Sequence, residues 1–197
     1  MFAPFHTDTS CAYTETKDER PIFCCNNLPR VNPDINDGMG RVEELEHLYR
    51  EVAKSGSGST IQKALFGADH PDGHINMSQT YFAGHSTGGH TAYLVAKNKG
   101  PEKVKACLLF DALMNEKNMQ GDQFRSDVPL VSVNGNYDAD AYFVEMMDEN
   151  RLGDLNHLRH TMHEKQTRPS EKYECDVMDH LDFTDKPFID PYGVALN

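Results

Sequence analysis

The amino-acid sequence predicts an α/β fold with a mostly parallel sheet that has helices on both faces. Two continuous apolar runs, VKACLLFDAL at 104–113 and VPLVSVNG at 128–135, are each preceded or followed by helical or linker segments. Unbroken apolar runs of this length are typical of parallel strands that are buried on both faces. From residue 77 onward the predicted order is strand, helix, strand, linker, strand, helix, strand, which favours an α/β architecture.

The region before residue 77 combines short apolar runs with one amphipathic helix. FAPF (2–5) is predicted to be a strand, and IFCC (22–25) is predicted to be a strand or a short buried segment. The polar stretch 6–21 between them is predicted to be a loop. At 41–54 five apolar side chains fall on one helical face, which predicts an amphipathic helix. They are Val42, Leu45, Leu48, Tyr49 and Val52.

Five further elements are predicted from the same patterns. They are a short helix at 60–67, a strand at 77–84, a helix that starts after Ser86 and ends at Gly100-Pro101, a helix at 138–151 and a last strand near 173–178. Glycine followed by proline is a common end of a helix. Lys97 and Lys99 lie in the last turn before it, where the helix dipole favours cations.

Length and charge limit the classes of function. At 197 residues the chain is expected to form one domain. Its net charge of −12 argues against nucleic acid as a partner, because such binding needs a positive surface that neutralises phosphates. No stretch approaches the roughly 20 apolar residues of a membrane span, so no transmembrane segment is expected.

The cysteines and the start of the chain bear on the cellular compartment. The five cysteines are an odd number, and Cys24 and Cys25 are adjacent, which suits neither a disulfide framework nor a metal site. Reduced, structural thiols are therefore expected. MFAPFHTDTS lacks the basic and apolar regions of a signal peptide. The default prediction is a cytoplasmic protein, with secretion as the alternative if a targeting segment lies upstream.

The sequence AGHSTGGH at 83–90 contains a G-x-S-x-G motif from Gly84 to Gly88. In a nucleophile elbow the serine lies on a tight turn between a strand and a helix, and the two glycines remove side chains that would clash there. Ser86 has this setting, because an apolar strand precedes it and a helix follows it. Ser86 is therefore the candidate nucleophile, and the Thr87 backbone N–H is the candidate oxyanion donor.

A serine nucleophile of this kind needs an acid and a histidine base further along the chain. His180 follows the last apolar segment, where the base of such a fold belongs, whereas the histidines in HLRHTMH (157–163) are interpreted as part of a solvated polar segment. Two aspartates qualify as the acid. Asp111 ends the strand after the elbow, and Asp138 follows the next strand. The residues alone leave these two open.

Three blocks, in order, resemble the platelet-activating factor acetylhydrolase family, the plasma and intracellular type II serine lipases of the α/β-hydrolase superfamily. GHSTGG (84–89) is similar to the family's GHSxGG, LLFDALM (108–114) to its strand ending in Asp-Ala-x-Met, and HLDFTD (180–185) to its His-x-x-Phe-x-Asp. With softer matches in APFHTDTS and PLVSVNGNY, the resemblance extends over most of the chain.

The resemblance implies an α/β-hydrolase fold and a calcium-independent esterase. Ser86 would be the nucleophile, His180 the base and Asp111 the acid, since this family places its acid one strand earlier than most; Asp138 is the alternative. The implied substrates are phospholipids with a short or oxidised acyl group at the second glycerol position, met through transient contact with a lipid interface. No metal or other cofactor is implied.

The resemblance also implies that upstream strands are missing. Met1 would lie near the strand after the oxyanion loop, so residues 1–197 are expected to form a single, N-terminally truncated α/β-hydrolase domain, the C-terminal two-thirds of the fold. The chain contains no His-Gly dipeptide, which in this family supplies the second oxyanion N–H. Two alternatives are a generic carboxylesterase of the same fold that acts on small esters, and a catalytically impaired fragment or interaction module.

Overall fold

The computed structural model describes residues 13–15, 21–23, 39–54, 75–114, 124–135 and 149–178. The chain divides into two compact units, Met1–Met77 and Ser78–Asn197. The single domain expected over 1–197 stays a prediction. The predicted strand at 2–5 and the predicted helix at 60–67 lie outside the described residues.

The first unit contains a small antiparallel pair of strands. β1 (Tyr13–Glu15) pairs with β2 (Pro21–Phe23), with Tyr13 opposite Phe23. Residues 22–25 were predicted to be a strand or a short buried segment, and the strand is present at Pro21–Phe23. β1, however, lies inside the stretch that was predicted to be a loop. A three-residue strand is too short to show an alternating pattern, although tyrosine and threonine both favour extended backbone.

The helix α1 (Met39–Lys54) of the first unit agrees with the predicted amphipathic helix. Val42 and Val52 on its apolar face are buried. Two ion pairs lie on the helix surface, Arg50 with Glu46 at 3.8 Å and Lys54 with Glu51 at 3.0 Å. Exposed pairs of this kind contribute only about 0.3–0.5 kcal/mol each, so burial of the apolar face is the main stabilising contribution.

The second unit is a parallel α/β layer. After a short 3₁₀ turn (Met77–Gln79), the elements follow in the predicted order. They are β3 (Thr80–His85), α2 (Thr87–Lys99), β4 (Val104–Phe110), β5 (Leu130–Gly135), α3 (Glu149–Glu164) and β6 (Ser170–Cys175). The four strands are hydrogen-bonded in the order β3-β4-β5-β6, and all three pairings are parallel.

The boundaries of these elements differ from the sequence prediction by a few residues. Residues 77–79 form a 3₁₀ turn rather than the start of β3, and β6 begins three residues earlier than the predicted 173–178. The helix predicted at 138–151 coincides with α3 only at its end, and its earlier part lies outside the described residues.

The core of the second unit lies where α2 covers β3 and β4. Residues 89–96 of α2 are buried without interruption, which is typical of a helix that is covered on several sides. Val104, Cys107 and Leu109 of β4 are at most 1% exposed. Burial raises the pKa of the Cys107 thiol, so this free cysteine stays protonated and unreactive. Every helix in the described ranges is too short or too polar to span a bilayer.

Hydrogen bonds around Tyr93 connect α2 with the segment before β5 and with the end of α3. The Tyr93 hydroxyl donates to the Phe124 carbonyl at 2.6 Å. Gln166 donates from Nε2 to the same carbonyl at 3.1 Å and to the Tyr93 oxygen at 3.2 Å. Burial raises the pKa of Tyr93 to about 12, so the hydroxyl remains a donor at neutral pH. These contacts fix the position of the C-terminal end of α3.

His163 joins α3 to two strands and is not a solvated residue as the sequence suggested. Its Nε2 lies 2.7 Å from Ser132 Oγ of β5, and its Nδ1 lies 3.1 Å from Ser170 Oγ of β6. A neutral ring satisfies both contacts, with Nδ1–H donating to Ser170 and the Ser132 hydroxyl donating to Nε2. Burial, together with Lys172 and His160, lowers the pKa of His163 from 6.5 to about 4.

Fold stability is expected to depend on pH through His163. The unfolded chain takes up a proton at this residue below about pH 6.5, whereas the folded chain does so only near pH 4. The stabilisation is therefore complete above about pH 6.5 and is lost as the pH falls towards 4. Urea unfolding at several pH values should show a smaller loss of stability in acid for His163→Gln than for the unsubstituted protein.

A matched control for this measurement is His157→Gln. His157 is exposed on the same helix and should retain the pH dependence of the unsubstituted protein. Parallel curves for His163→Gln and the unsubstituted protein would contradict the assignment of a neutral, half-buried ring to His163.

Candidate active site

Ser86 lies on the turn between β3 and α2. Its backbone has φ 57° and ψ −130°, outside the regions that a residue with a side chain normally adopts. A strained serine between a parallel strand and the start of a helix is the geometry of a nucleophile elbow. The strand-to-helix setting that the sequence indicated for Ser86 is therefore present.

Backbone hydrogen bonds hold Ser86 in this conformation. Its N–H donates to the Phe110 carbonyl of β4 at 3.1 Å. Its carbonyl accepts from the N–H groups of Gly89 and Leu113, both at 3.0 Å. The turn is thus bonded to the neighbouring strand, to its own helix and to the loop that follows β4. A strained backbone conformation persists when surrounding contacts such as these hydrogen bonds hold it in place.

Two glycines permit the close packing of the turn. A Cβ on Gly84 would lie 2.1 Å from the Gly88 carbonyl oxygen, and a Cβ on Gly89 would lie 2.5 Å from Ala112 Cβ. A Cβ on Gly88 would meet no atom within 4 Å among the described residues. The sequence assigned the steric need to Gly84 and Gly88. The described contacts show that a side chain would clash at Gly84, and they place the second such clash at Gly89.

Asp111 lies beside Ser86 at the same edge of the sheet. Their preceding residues, His85 and Phe110, are partners in the β3–β4 ladder. Asp111 is fully buried, and its φ is 46°. Among the residues that the structure describes, Ser86 and Asp111 are the non-glycine residues with positive φ. Strain of this kind clusters at functional sites.

The Asp111 carboxylate and backbone are held by neighbouring groups. Oδ1 accepts from the Gly135 N–H at 2.8 Å and from Arg159 Nη2 at 3.2 Å. The Asp111 N–H donates to the Val133 carbonyl at 2.8 Å. A buried carboxylate that accepts hydrogen bonds and faces a cation is stabilised in its ionised form.

Arg159 of α3 is a residue of this site that the sequence reasoning missed. It is 4% exposed and donates to the Ala112 carbonyl from Nε at 2.9 Å and from Nη2 at 2.8 Å. Burial lowers the pKa of Arg159 to about 10, against the opposing effect of Asp111, so the side chain is charged at neutral pH. The sequence signal that could have indicated the burial of Arg159 is helical spacing, because Arg159 lies between the buried Leu158 and Met162.

The described structure covers part of the predicted triad. It brings Ser86 and Asp111 to adjacent strand ends, and it makes Thr87 the first residue of α2. His180 and Asp138 lie outside the described residues. The roles of Ser86, Thr87, Asp111 and His180, and the choice between Asp111 and Asp138, therefore stay predictions.

Comparison with solved structures agrees with this fold. A ferulic acid esterase from Streptomyces cinnamoneus is similar, with a TM-score of 0.64 and 14% sequence identity over 91% of this chain and 44% of that chain. The chain thus spans less than half the length of that enzyme. A dienelactone hydrolase from Anabaena variabilis (TM-score 0.38, 16% identity, 58% and 45% of the two chains) also matches.

An S-formylglutathione hydrolase from Agrobacterium tumefaciens matches with a TM-score of 0.42 and 19% identity over 68% of this chain and 53% of that chain. TM-scores below 0.5 add nothing to the assignment of the fold. Comparison with protein-family models and with curated proteins gives no match. The parallel sheet with its helices and the structural similarity to the Streptomyces cinnamoneus protein confirm the α/β-hydrolase fold.

The glycine contacts predict opposite effects for two alanine substitutions. Gly84→Ala should destabilise the fold by about 1–3 kcal/mol or more, because the new Cβ meets backbone that cannot move aside. Gly88→Ala should be neutral or stabilising by up to about 1 kcal/mol, since alanine favours the helix and meets open space. Urea unfolding followed by circular dichroism measures both. Equal losses for the two variants would contradict the steric assignment.

Proposed function

We propose that this chain is a serine esterase that hydrolyses carboxylic esters through Ser86. The observation that carries the proposal is that two residues with strained backbone, Ser86 and Asp111, follow neighbouring strands at the same edge of the sheet. Ser86 is in the position of an elbow nucleophile, and Asp111, which is fully buried, follows the neighbouring strand. The similar solved structure described as a ferulic acid esterase supports the same class of reaction.

The proposed mechanism is acyl transfer to serine. His180 takes the proton of the Ser86 hydroxyl as Oγ attacks the ester carbonyl, and the Thr87 N–H donates to the developing oxyanion. His180 then protonates the leaving alcohol, and an acyl-enzyme remains. Water attacks the acyl-enzyme with His180 again as the base, which releases the acid and restores Ser86. Asp111 orients the imidazole and stabilises its protonated form.

For the substrate we infer a phospholipid with a short or oxidised acyl group at the second glycerol position. This inference rests on the ordered resemblance of GHSTGG, LLFDALM and HLDFTD to the platelet-activating factor acetylhydrolase family. Hydrolysis of such a substrate implies transient contact with a lipid interface. The proposed serine mechanism requires no calcium. The second candidate is a carboxylesterase that acts on small esters, and the ferulic acid esterase similarity favours it.

Labelling and turnover should both depend on Ser86. A fluorophosphonate is expected to label the protein, and Ser86→Ala should lose the label and on the order of 10⁶-fold of the turnover. Ser78→Ala, which removes an exposed serine, is the matched control and should label normally. The substrates to compare are a short-chain phosphatidylcholine and p-nitrophenyl acetate.

Three outcomes separate the hypotheses. Release of the short acyl chain from phosphatidylcholine supports the phospholipid substrate. Turnover of p-nitrophenyl acetate alone favours the small-ester carboxylesterase. A folded protein that takes no label at Ser86 contradicts the esterase proposal and favours a non-catalytic interaction module.

The choice of the acid makes a separate prediction. Asp111→Asn should reduce turnover by on the order of 10⁴-fold, because the amide cannot hold the catalytic tautomer of His180. Asp138→Asn should stay close to the unsubstituted protein. Thermal unfolding of both variants controls for loss of fold, since Asp111 is also the partner of Arg159. The reverse ranking would move the acid to Asp138.

A further inference from the structure

We propose that Arg159 is a positioning residue of the active site, whose guanidinium fixes the loop after β4 and the orientation of the Asp111 carboxylate towards His180. This inference rests on the proposed esterase function, because it assigns Asp111 the role of the acid. It concerns a residue on α3, remote from Asp111 in sequence and without any part in the triad itself.

The guanidinium makes contacts of two kinds with the loop. Nε and Nη2 both donate to the Ala112 carbonyl, at 2.9 and 2.8 Å, and Nη2 also lies 3.2 Å from Asp111 Oδ1. A planar, rigid fork can hold a backbone carbonyl and a side chain at once, which a single ammonium cannot do with the same geometry. The loop carbonyl and the carboxylate are therefore fixed relative to each other.

The carboxylate itself has two donors on one oxygen. Arg159 Nη2 and the Gly135 N–H approach Oδ1 from α3 and from the end of β5. Two donors on Oδ1 restrict rotation of the carboxyl group and so give Oδ2 a fixed direction. A fixed carboxylate direction is what the acid of a triad needs in order to orient its imidazole.

The charge of Arg159 has a second effect, on proton uptake by the Asp111–His180 pair. The side chain is 4% exposed, so its field acts through an interior of low dielectric. Glu174 of β6 acts on Arg159 from a distance and is itself paired with Lys172 at 2.7 Å. Among the described ion pairs, the charged group in direct contact with Asp111 is Arg159.

The direction of this effect follows from coupled titration. A cation beside Asp111 disfavours protonation of the carboxylate and also disfavours a positive charge on His180. Removal of the cation makes both events easier, so the apparent pKa at which the pair takes up its proton must rise. A substitution that only weakened apolar packing would leave this apparent pKa unchanged.

The experiment compares two substitutions of Arg159 with a packing control. Arg159→Gln removes the charge and keeps a donor, Arg159→Lys keeps the charge and loses the fork, and Met162→Ala removes only buried apolar contact on the same helix. Two quantities are measured in the full chain. They are the pH profile of kcat/KM with p-nitrophenyl acetate, and the titration of the His180 imidazole by NMR, assigned with His180→Gln.

Arg159→Gln is expected to move the acid limb of the profile and the His180 titration upward by about one pH unit. Arg159→Lys is expected to leave both in place and to lower kcat by about tenfold or more, because the loop is less well positioned. Met162→Ala should lower stability without moving the limb.

The proposal is overturned if folded Arg159→Gln leaves the limb and the titration in place. Should that variant not fold, Arg159→Lys decides, and unchanged kcat would reject the positioning role. If the unsubstituted protein has no esterase activity but Arg159→Gln still shifts the His180 titration, the esterase proposal fails and only the effect of Arg159 on the Asp111–His180 pair stands. Absence of both activity and shift rejects both.

Discussion

The rest of the site depends on the close approach of the Gly84 and Gly88 backbones. A side chain at Gly84 would lie 2.1 Å from the Gly88 carbonyl oxygen, so β3 can meet the first turn of α2 only because glycine is there. The short connection leaves Ser86 with a positive φ and turns its carbonyl towards Leu113. One steric constraint therefore sets the backbone of the candidate nucleophile and ties the loop after β4 to it.

Asp111, in the loop after β4, has two features that lower the stability of the fold and that packing alone does not explain. Asp111 combines a left-handed backbone, which costs about 1–3 kcal/mol of strain, with a fully buried carboxyl group. A buried ion pair such as Asp111–Arg159 is often no more stable than an apolar replacement of the same volume. Such an arrangement stabilises the fold poorly, but it holds the carboxyl group in one orientation. A fixed orientation is what the role proposed for Asp111, the acid of a serine esterase, would require.

The sequence predicted the order of the second unit because apolar runs and the glycine turn are local signals. β1 escaped prediction because three residues are too few for a pattern. The contacts of Arg159 and His163 were not predicted because the sequence HLRHTMH is mostly polar. The helical period nevertheless places both residues beside the buried Leu158 and Met162. Their roles come from contacts with strands that lie far away in the chain. Gly89 was missed for the same reason, since its close neighbour is Ala112.

The polar contacts of α3 link the stability of the fold to the candidate site. Arg159 and His163 are one helical turn apart, and they bond to the loop after β4 and to β5 and β6 respectively. Polar contacts with fixed partners specify one register of the helix, whereas apolar packing tolerates small shifts. At neutral pH Arg159 is charged and His163 is neutral, so both sets of bonds are formed. Arg159 can hold the loop of Asp111 because His163 keeps its helix in place.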